Sequence, residues 1–393
     1  MDDKDRYAER GVSSTKEGVH AAVAALDKGL YPGAFCQIMP LDDQCHAIMH
    51  ADGAGTKADL AYLAHKHGHP IKAWRGITQD SIVMNIDDVA CVGALLEKTY
   101  INQAINRDTF VIPDEIIAEL VAGGADFCKK MQALGFPLVL SGGETADVPD
   151  LVRTITVDNS LFTTIKDRHV VDASRIRAGD AIVGFSSTGQ AAWADEPNSG
   201  IGSHGLTNAR PDCLHPDYRA DTETYSPELP PEKVYCGKYH LDDPLPGDSR
   251  FSIASALLSP TRTYAPLIKK ILRTCPYIEP EQIHAFIHCS GGGQTKIGKF
   301  GPPDVMYIKD KLFPTPPLFK VLQESSQLPW KQMYKSYNMG HRLEAVVAPE
   351  AAQACIDAAE ACNIKARKVG MVLERPHTSP RVRIVRANEI FAY

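Results

Sequence analysis

Three stretches of this sequence set a carboxylate among small residues, and two of them do so at the end of a strand-like run. The run at 46–50 leads into Ala51-Asp52-Gly53-Ala54-Gly55-Thr56-Lys57, and the run at 137–140 leads into Ser141-Gly142-Gly143-Glu144-Thr145. The third stretch carries Asp80, Asp87 and Asp88 among Ile82, Val83, Ile86, Val89, Ala90 and Gly93, whose three- and four-residue spacing predicts a helix over 80–95. Strands that end in glycines and alternate with helices belong to a mixed α and β fold. Pro113 opens another helix, where its missing N–H does no harm, and Gly135 closes it. Ile117, Leu120, Val121, Cys128 and Met131 form its expected buried stripe. A further helix is expected over 11–26, with Val19, Val23 and Leu26 at helical spacing.

A second unit begins near Asp172, with a strand at 180–185. The stretch 211–247 then holds Pro211, Pro216, Pro227, Pro230, Pro231, Pro244 and Pro246 with little periodicity, and reads as an insertion or long loop. Beyond it come a helix at 264–274, a strand at 283–288, and a strand, helix and strand at 343–347, 349–362 and 382–385. A chain of 393 residues is long enough for two or three domains. The expected division is α+β (mixed α/β) in two domains, 1–168 and 169–393.

Composition excludes several classes. Apolar residues at 44% and charged residues at 23% are those of a globular protein, and a net charge of −6 offers no overall attraction to nucleic acid or anionic membrane. No apolar run reaches the roughly 20 residues of a bilayer span. The start, MDDKDRYAER, is charged from its second residue, unlike a signal peptide. Ten scattered cysteines without a CxxC pair fit reduced thiols and a cytoplasmic protein.

The three acid-bearing stretches carry the chemistry. Glycines let a backbone approach phosphate closely and offer N–H donors. Carboxylates hold Mg²⁺, which bridges to phosphate, and Lys57 beside Asp52 balances phosphate charge. Each cluster taken alone also reads as a turn with a capping acid. Together, without a Walker-type GxxxxGK[ST], they point to a nucleotide–Mg²⁺ site of another architecture. On the helix, Asp80 and Asp87 share a face while Asp88 lies about 100° further round.

In order, ADGAGTK (51–57), GITQDSIVMNIDDVACVGA (76–94), LSGGETADVP (140–149), SPTRTY (259–264), HCSGGG (288–293) and MYKSYNMG (333–340) resemble phosphoribosylformylglycinamidine cyclo-ligase, the aminoimidazole ribonucleotide synthetase family. The resemblance spans about residues 6 to 375. It implies that family's two-domain ATP-dependent fold and a homodimer paired through the N-terminal domains. It implies Asp52, Asp88 and Glu144 at Mg²⁺, with Asp52, Gly53, Gly55, Thr56, Lys57, Gly142, Gly143, Glu144 and Thr145 around ATP. Lys16 is a further candidate for nucleotide contact. Gly291, Gly292 and Gly293 match a loop expected at the substrate's ribose phosphate.

The sequence also departs from the family. Gly202-Ser203-His204-Gly205 stands where relatives have His-Ser-Asn-Gly, so the imidazole moves two places. The glycine-rich segment before the first motif shortens to Pro32-Gly33-Ala34-Phe35, and His341-Arg342 follows the NMG. A two-residue shift along an extended segment keeps the same face, moved by about 7 Å. The loop then reads as a mobile lid, with Ser203 and Gly205 at the substrate and His204 as proton shuttle.

The implied reaction is closure of an imidazole ring. ATP phosphorylates the formamide oxygen of formylglycinamidine ribonucleotide, nitrogen attacks that carbon, and ADP and phosphate leave, with Lys57 and His204 as the catalytic candidates. The alternatives are a small-molecule phosphotransferase on the same fold and a nucleotide-binding paralogue without turnover.

Overall fold

The computed structural model describes residues 6–12, 17–23, 25–94 and 97–393. Its first half runs α1 (Arg6–Glu9), α2 (Glu17–Val23), β1 (Met39–Pro40), β2 (His46–Gly53), α3 (Lys57–Lys66), α4 (Trp74–Cys91), β3 (Thr99–Arg107), α5 (Asp114–Ala133), β4 (Leu138–Asp147) and β5 (Ile155–Ile165). The strands form one sheet in the order β1-β2-β5-β3-β4. β3 and β4 pair in parallel, which requires a long crossover, and α5 supplies it. In β3 and β5 buried residues alternate with more exposed ones. One face of the sheet is therefore covered, with α4 against it.

The second half contributes β6 (Ala181–Ser186), α6 (Leu206–Cys213), α7 (Ile253–Leu257), α8 (Ala265–Lys269), β7 (Ile283–His288), β8 (Val305–Lys309), α9 (Pro317–Ser326), α10 (Trp330–Ser336), β9 (His341–Val347), α11 (Ala352–Glu360), β10 (Ala366–Glu374), β11 (Val382–Arg386) and β12 (Glu389–Ala392). Its seven strands are ordered β12-β11-β8-β10-β6-β9-β7. Every residue of β6, β7 and β9 is buried.

α4 joins the halves. It packs on β2 and β5 on one side and on β7 and α8 on the other. One continuous core contains Ile82, Val83 and Ile86 together with Phe185, Ile283 and Leu343. A helix covered all round needs no polar face, and α4 starts at Trp74, six residues before the start its periodicity predicts, and ends at Cys91.

Several expectations change. In α5, Leu120, Cys128 and Met131 are buried but Val121 is exposed. The helix expected over 11–26 is shorter, and Val19, Val23 and Leu26 are exposed. Near it, Arg6 and Arg10 pair with Asp212 of α6, so α1 packs on the second half of the chain. β2 and β4 run on through their glycines. The stretch 211–247 is an ordered series of turns with Tyr218, Val234, Tyr235, Leu241 and Leu245 buried against Leu60 and Leu63 of α3. All ten cysteines are free thiols. No described helix is long and apolar enough to cross a membrane.

Candidate functional site

Helix geometry separates the three aspartates of α4. Asp80 and Asp87, one face apart from Asp88, both turn to the segment 259–265. Asp80 accepts the Thr261 N–H (2.6 Å) and pairs with Lys57 Nζ (2.9 Å). Asp87 accepts Thr263 Oγ1–H (2.6 Å) and the Tyr264 N–H (3.0 Å), holding the start of α8. Burial lifts its pKa to about 7 against the pull of Arg342 and Thr263. Both carboxylates are occupied by the fold.

Asp88 instead faces β2 and β7. Its Oδ1 meets His288 Nδ1 at 2.5 Å and its Oδ2 lies 3.4 Å from His50 Nε2. His50 Nδ1 is 2.9 Å from Asn85 Oδ1, and Asn85 Nδ2 donates to the Asp52 carbonyl (3.0 Å), so Asp52 and Asp88 belong to one cluster. Burial opposes charge on Asp88, yet Lys296, His288 and His50 outweigh it and hold its pKa far below the carboxylate range. Burial opposes charge on His50 too, but hydrogen bonds to Asp88 and Cys36 raise its pKa to about 11. For His288 burial wins over Asp88, and the pKa drops to about 4. The result is an ionised Asp88–His50 pair beside a neutral His288 whose buried Nε2 has no partner among the described residues.

The loop 202–205 closes this cluster from the second half. Ser203 Oγ meets Thr261 Oγ1 (3.1 Å), and Asn338 Nδ2 donates to the carbonyls of Gly200 (2.8 Å) and Ile201 (3.1 Å). A Cβ on Gly202 would sit 2.6 Å from Arg342 Nη1, and one on Gly205, at φ 93°, would sit 2.6 Å from Tyr337 Cε1. The glycines are there because neighbours press on the backbone. The expectation of a mobile lid is therefore corrected: the loop is pinned and Ser203 is buried. His204 lies against Gly291, its Cδ2 3.4 Å from where a Cβ would stand. Burial lowers its pKa although Asp52 and Asp88 pull the other way, so the ring is neutral near pH 7. Lys296 donates to Ser290 Oγ (2.7 Å) beside it. His204, Ser203, Ser290, Asn338 and Arg342 line one small cavity.

The remaining candidates divide. Thr56 Oγ1 meets Thr207 Oγ1 at 3.1 Å, so the 53–57 turn touches the 202–207 loop. Lys57 does not face it. Its ammonium is fully buried between Asp80 and the Ser259 carbonyl (2.6 Å), which corrects its reading as a phosphate lysine.

Glu144 is also corrected. Asp52, Asn159, Gln103 and Gly143 form one cross-strand row, and Gly53, Asp158, Ala104 and Glu144 form the next. Side chains alternate between faces, so Glu144 points away from Asp52's face, three strands away or roughly 15 Å. Asp52, Asp88 and Glu144 therefore do not surround one ion within a single chain, and this donor set does not fit Mg²⁺ here. Gly142 and Thr145 lie with Glu144 on that exposed edge strand. Gly292 (φ 93°) and Gly293 (φ 51°) turn the chain behind Gly291. Lys16 lies outside the described residues.

The sequence reading missed His50, His288, Lys296 and Arg342. Two had a signal: His50 precedes Asp52 by two on one strand and so shares its face, and His288 stands at the head of HCSGGG. Lys296 and Arg342 reach the site by tertiary packing alone.

Residues 33–162 match the family described as AIR synthase related protein, N-terminal domain. A phosphoribosylformylglycinamidine cyclo-ligase of Anaeromyxobacter dehalogenans is 29% identical over 82% of this chain and 78% of its own. One of Methanosarcina acetivorans is 25% identical over 95% and 89%. Among solved structures, Thermotoga maritima PurL complexed with FGAR superposes with a TM-score of 0.56 at 16% identity, over 96% of this chain and 49% of that one. The HypE–HypF complex gives 0.57 at 15%, over 97% and 99%. At such identities the structures establish the shared fold alone.

Proposed function

We propose that this chain, a divergent relative of the phosphoribosylformylglycinamidine cyclo-ligases, closes the imidazole ring of aminoimidazole ribonucleotide in purine biosynthesis, in the cytoplasm and at the expense of ATP. The observation that carries the reading is a small cavity lined by a neutral His204, Ser203, Ser290 and Arg342, with Lys296 bonded to Ser290 and Gly291 packed against His204 at its edge. The γ-phosphoryl group passes from ATP to the formamide oxygen of formylglycinamidine ribonucleotide. A substrate nitrogen then attacks the activated carbon, the C–O bond breaks, and phosphate leaves with ADP. Such a reaction needs positioning and charge stabilisation more than covalent participation by the protein.

Lys296 and Arg342 offer positive charge to phosphate oxygens. His204 Nδ1 or Nε2 takes the proton that the attacking nitrogen loses, a task suited to an imidazole kept neutral by burial. His288 and His50 fix Asp88 between them. Lys57 positions the start of α3 through Asp80. Asp52, Asp88 and Glu144 do not converge on one Mg²⁺ within a single chain.

A homodimer belongs to the same reading. The sheet face opposite α4 carries Met49 and Tyr100 exposed, and a second copy covering that face would also meet Glu144.

Incubation of pure protein with Mg-ATP and formylglycinamidine ribonucleotide tests the reading. Aminoimidazole ribonucleotide and ADP in equal amounts are the expected products. ADP with a phosphorylated product would replace the reading with a phosphotransferase, and ATP binding without turnover would replace it with a paralogue that only binds.

A further inference from the structure

At the far end of α6 lies a group of side chains that the ring-closure reading does not use. His215 N–H donates to the Tyr239 carbonyl (2.8 Å), Gly237 N–H to Leu214 (2.9 Å) and Tyr239 N–H to Cys213 (3.1 Å). These bonds stitch together the two ends of the excursion 216–238 and set His240 beside His215. The imidazoles stack with centroids 4.4 Å apart and planes 28° from parallel. Asp217 reaches into the gap, its Oδ2 3.1 Å from His215 Nδ1 and 3.0 Å from His240 Nε2. The three donor atoms all lie within 4.8 Å of one another.

Two imidazole nitrogens and one carboxylate oxygen are the ligands of zinc and its neighbours in the first transition row. In a tetrahedral site with bonds of about 2.0–2.1 Å, ligand atoms stand roughly 3.3 Å apart. The two measured separations fall a few tenths short, a gap that small side-chain rotations would open. The far side of His240 is also provided for. Asp243 Oδ2 accepts the backbone N–H of His240 at 2.7 Å, which fixes the main chain there, and lies 4.0 Å from the ring Nδ1. The long contact from the Asp217 N–H to His215 Nδ1, 3.2 Å, would yield to an ion. Without an ion, one carboxylate oxygen serves two stacked rings. With one, each donor has a partner.

We propose that His215, Asp217 and His240 bind one divalent transition-metal ion of the zinc class, with water completing its coordination. The ion would clip the base of the excursion whose Asp221 and Glu223 pair with Lys66 of α3. Metal bound to the native chain alone raises its stability by mass action.

The test is calorimetric titration of chelator-stripped full-length protein with ZnCl₂, with CoCl₂ as a spectroscopic probe. One Zn²⁺ per chain, a higher melting temperature with zinc, and the visible absorption of four- or five-coordinate Co²⁺ are expected. His240→Gln and Asp217→Asn should each weaken zinc binding at least about tenfold. Because Asp217 and His240 are exposed, both variants should fold and melt close to the stripped wild type. No stoichiometric uptake by the wild type, or unchanged affinity in both variants, would overturn the proposal.

Discussion

Asp87 and Asp88 are neighbours in sequence with opposite duties. Asp87 is consumed by the Thr263 hydroxyl and the Tyr264 N–H, whereas Asp88 is held between His50 and His288. Asp87→Asn should therefore lower stability by about 1–3 kcal/mol, the cost of disturbing buried hydrogen bonds. Asp88→Asn should cut kcat about 10²-fold or more while nucleotide affinity changes little. Denaturation curves and steady-state kinetics on both variants decide it, and equal activity in Asp88→Asn would remove Asp88 from the site. His204→Asn belongs beside them. Loss of the neutral ring should lower kcat by about 10²-fold and abolish the pH dependence it contributes. Wild-type kcat with an unaltered profile would end its role as a proton carrier. Helical spacing on its own favoured Asp87 as the partner of Asp80, and the structure agrees that those two share a face. What spacing could not convey was that the shared face meets the 259–265 segment, some 180 residues away in sequence. Motif likeness favoured Asp88, which does stand in the cluster with Asp52. His288 stands in HCSGGG, but a histidine before glycines carries no local signature of its partner.

Strands and helices show where local signals stop. Glycines in Ser141-Gly142-Gly143 read as a turn, yet parallel pairing with β3 keeps the backbone extended from Leu138 to Asp147. The Gly143 backbone lies so close to the Gln103 carbonyl that a side chain would clash, so the glycine serves a close approach of strands. A different tertiary effect holds the second sheet. Lys309 of β8 and Glu344 of β9, both fully buried, pair at 2.5 Å, with His341 Nε2 2.8 Å from the same carboxylate. Burial pushes Glu344 towards protonation, but Lys309 and His341 outweigh it and hold its pKa below the ordinary value. A depressed carboxylate contributes stability that is present above its unfolded pKa, about 4.3, and lost as pH falls through the folded value. Burial also depresses His341. Below about pH 6.5 the unfolded state therefore binds more protons at this residue than the folded one, and stability falls in the same direction. His341 therefore predicts a stability that declines on acidification below about pH 6.5, and Glu344 a further decline below about pH 4.3. Lys309→Met should cost about 3–5 kcal/mol by leaving a buried charge alone, and adding Glu344→Leu should recover most of it. Urea denaturation at several pH values measures both effects, and a Lys309→Met variant as stable as wild type would show that Glu344 is satisfied without the lysine.

At the scale of the whole molecule, the sheet face that α4 leaves bare carries a row of large apolar side chains. Met49, Phe162 and Tyr100 occupy one cross-strand row over β2, β5 and β3. Met49 is 74% exposed and Tyr100 38%. Apolar side chains aligned on an open sheet face are a liability in a monomer and an asset against a second sheet. A two-fold pairing of such faces is self-complementary, since each copy presents the same row to the other. The pairing would also give Glu144 a place near a site that its own chain cannot offer, because its edge strand faces the open side. Sequence patterning could not identify this face. Met49 and Tyr100 stand in strands whose alternation says only that one face is buried, and not whether the other meets water or a partner. Met49→Glu sets a charge in the centre of the row, where a paired copy would bring two carboxylates together in a desolvated contact. It lies away from the core, so the folded chain should keep its melting temperature within a few degrees when measured dilute. Sedimentation velocity at micromolar concentration should then show a dimer for the wild type and a monomer for Met49→Glu. A wild type that sediments as a monomer would refute pairing altogether. A variant that remains a dimer would move the interface off this face, and with it the reason for Glu144 to look outward.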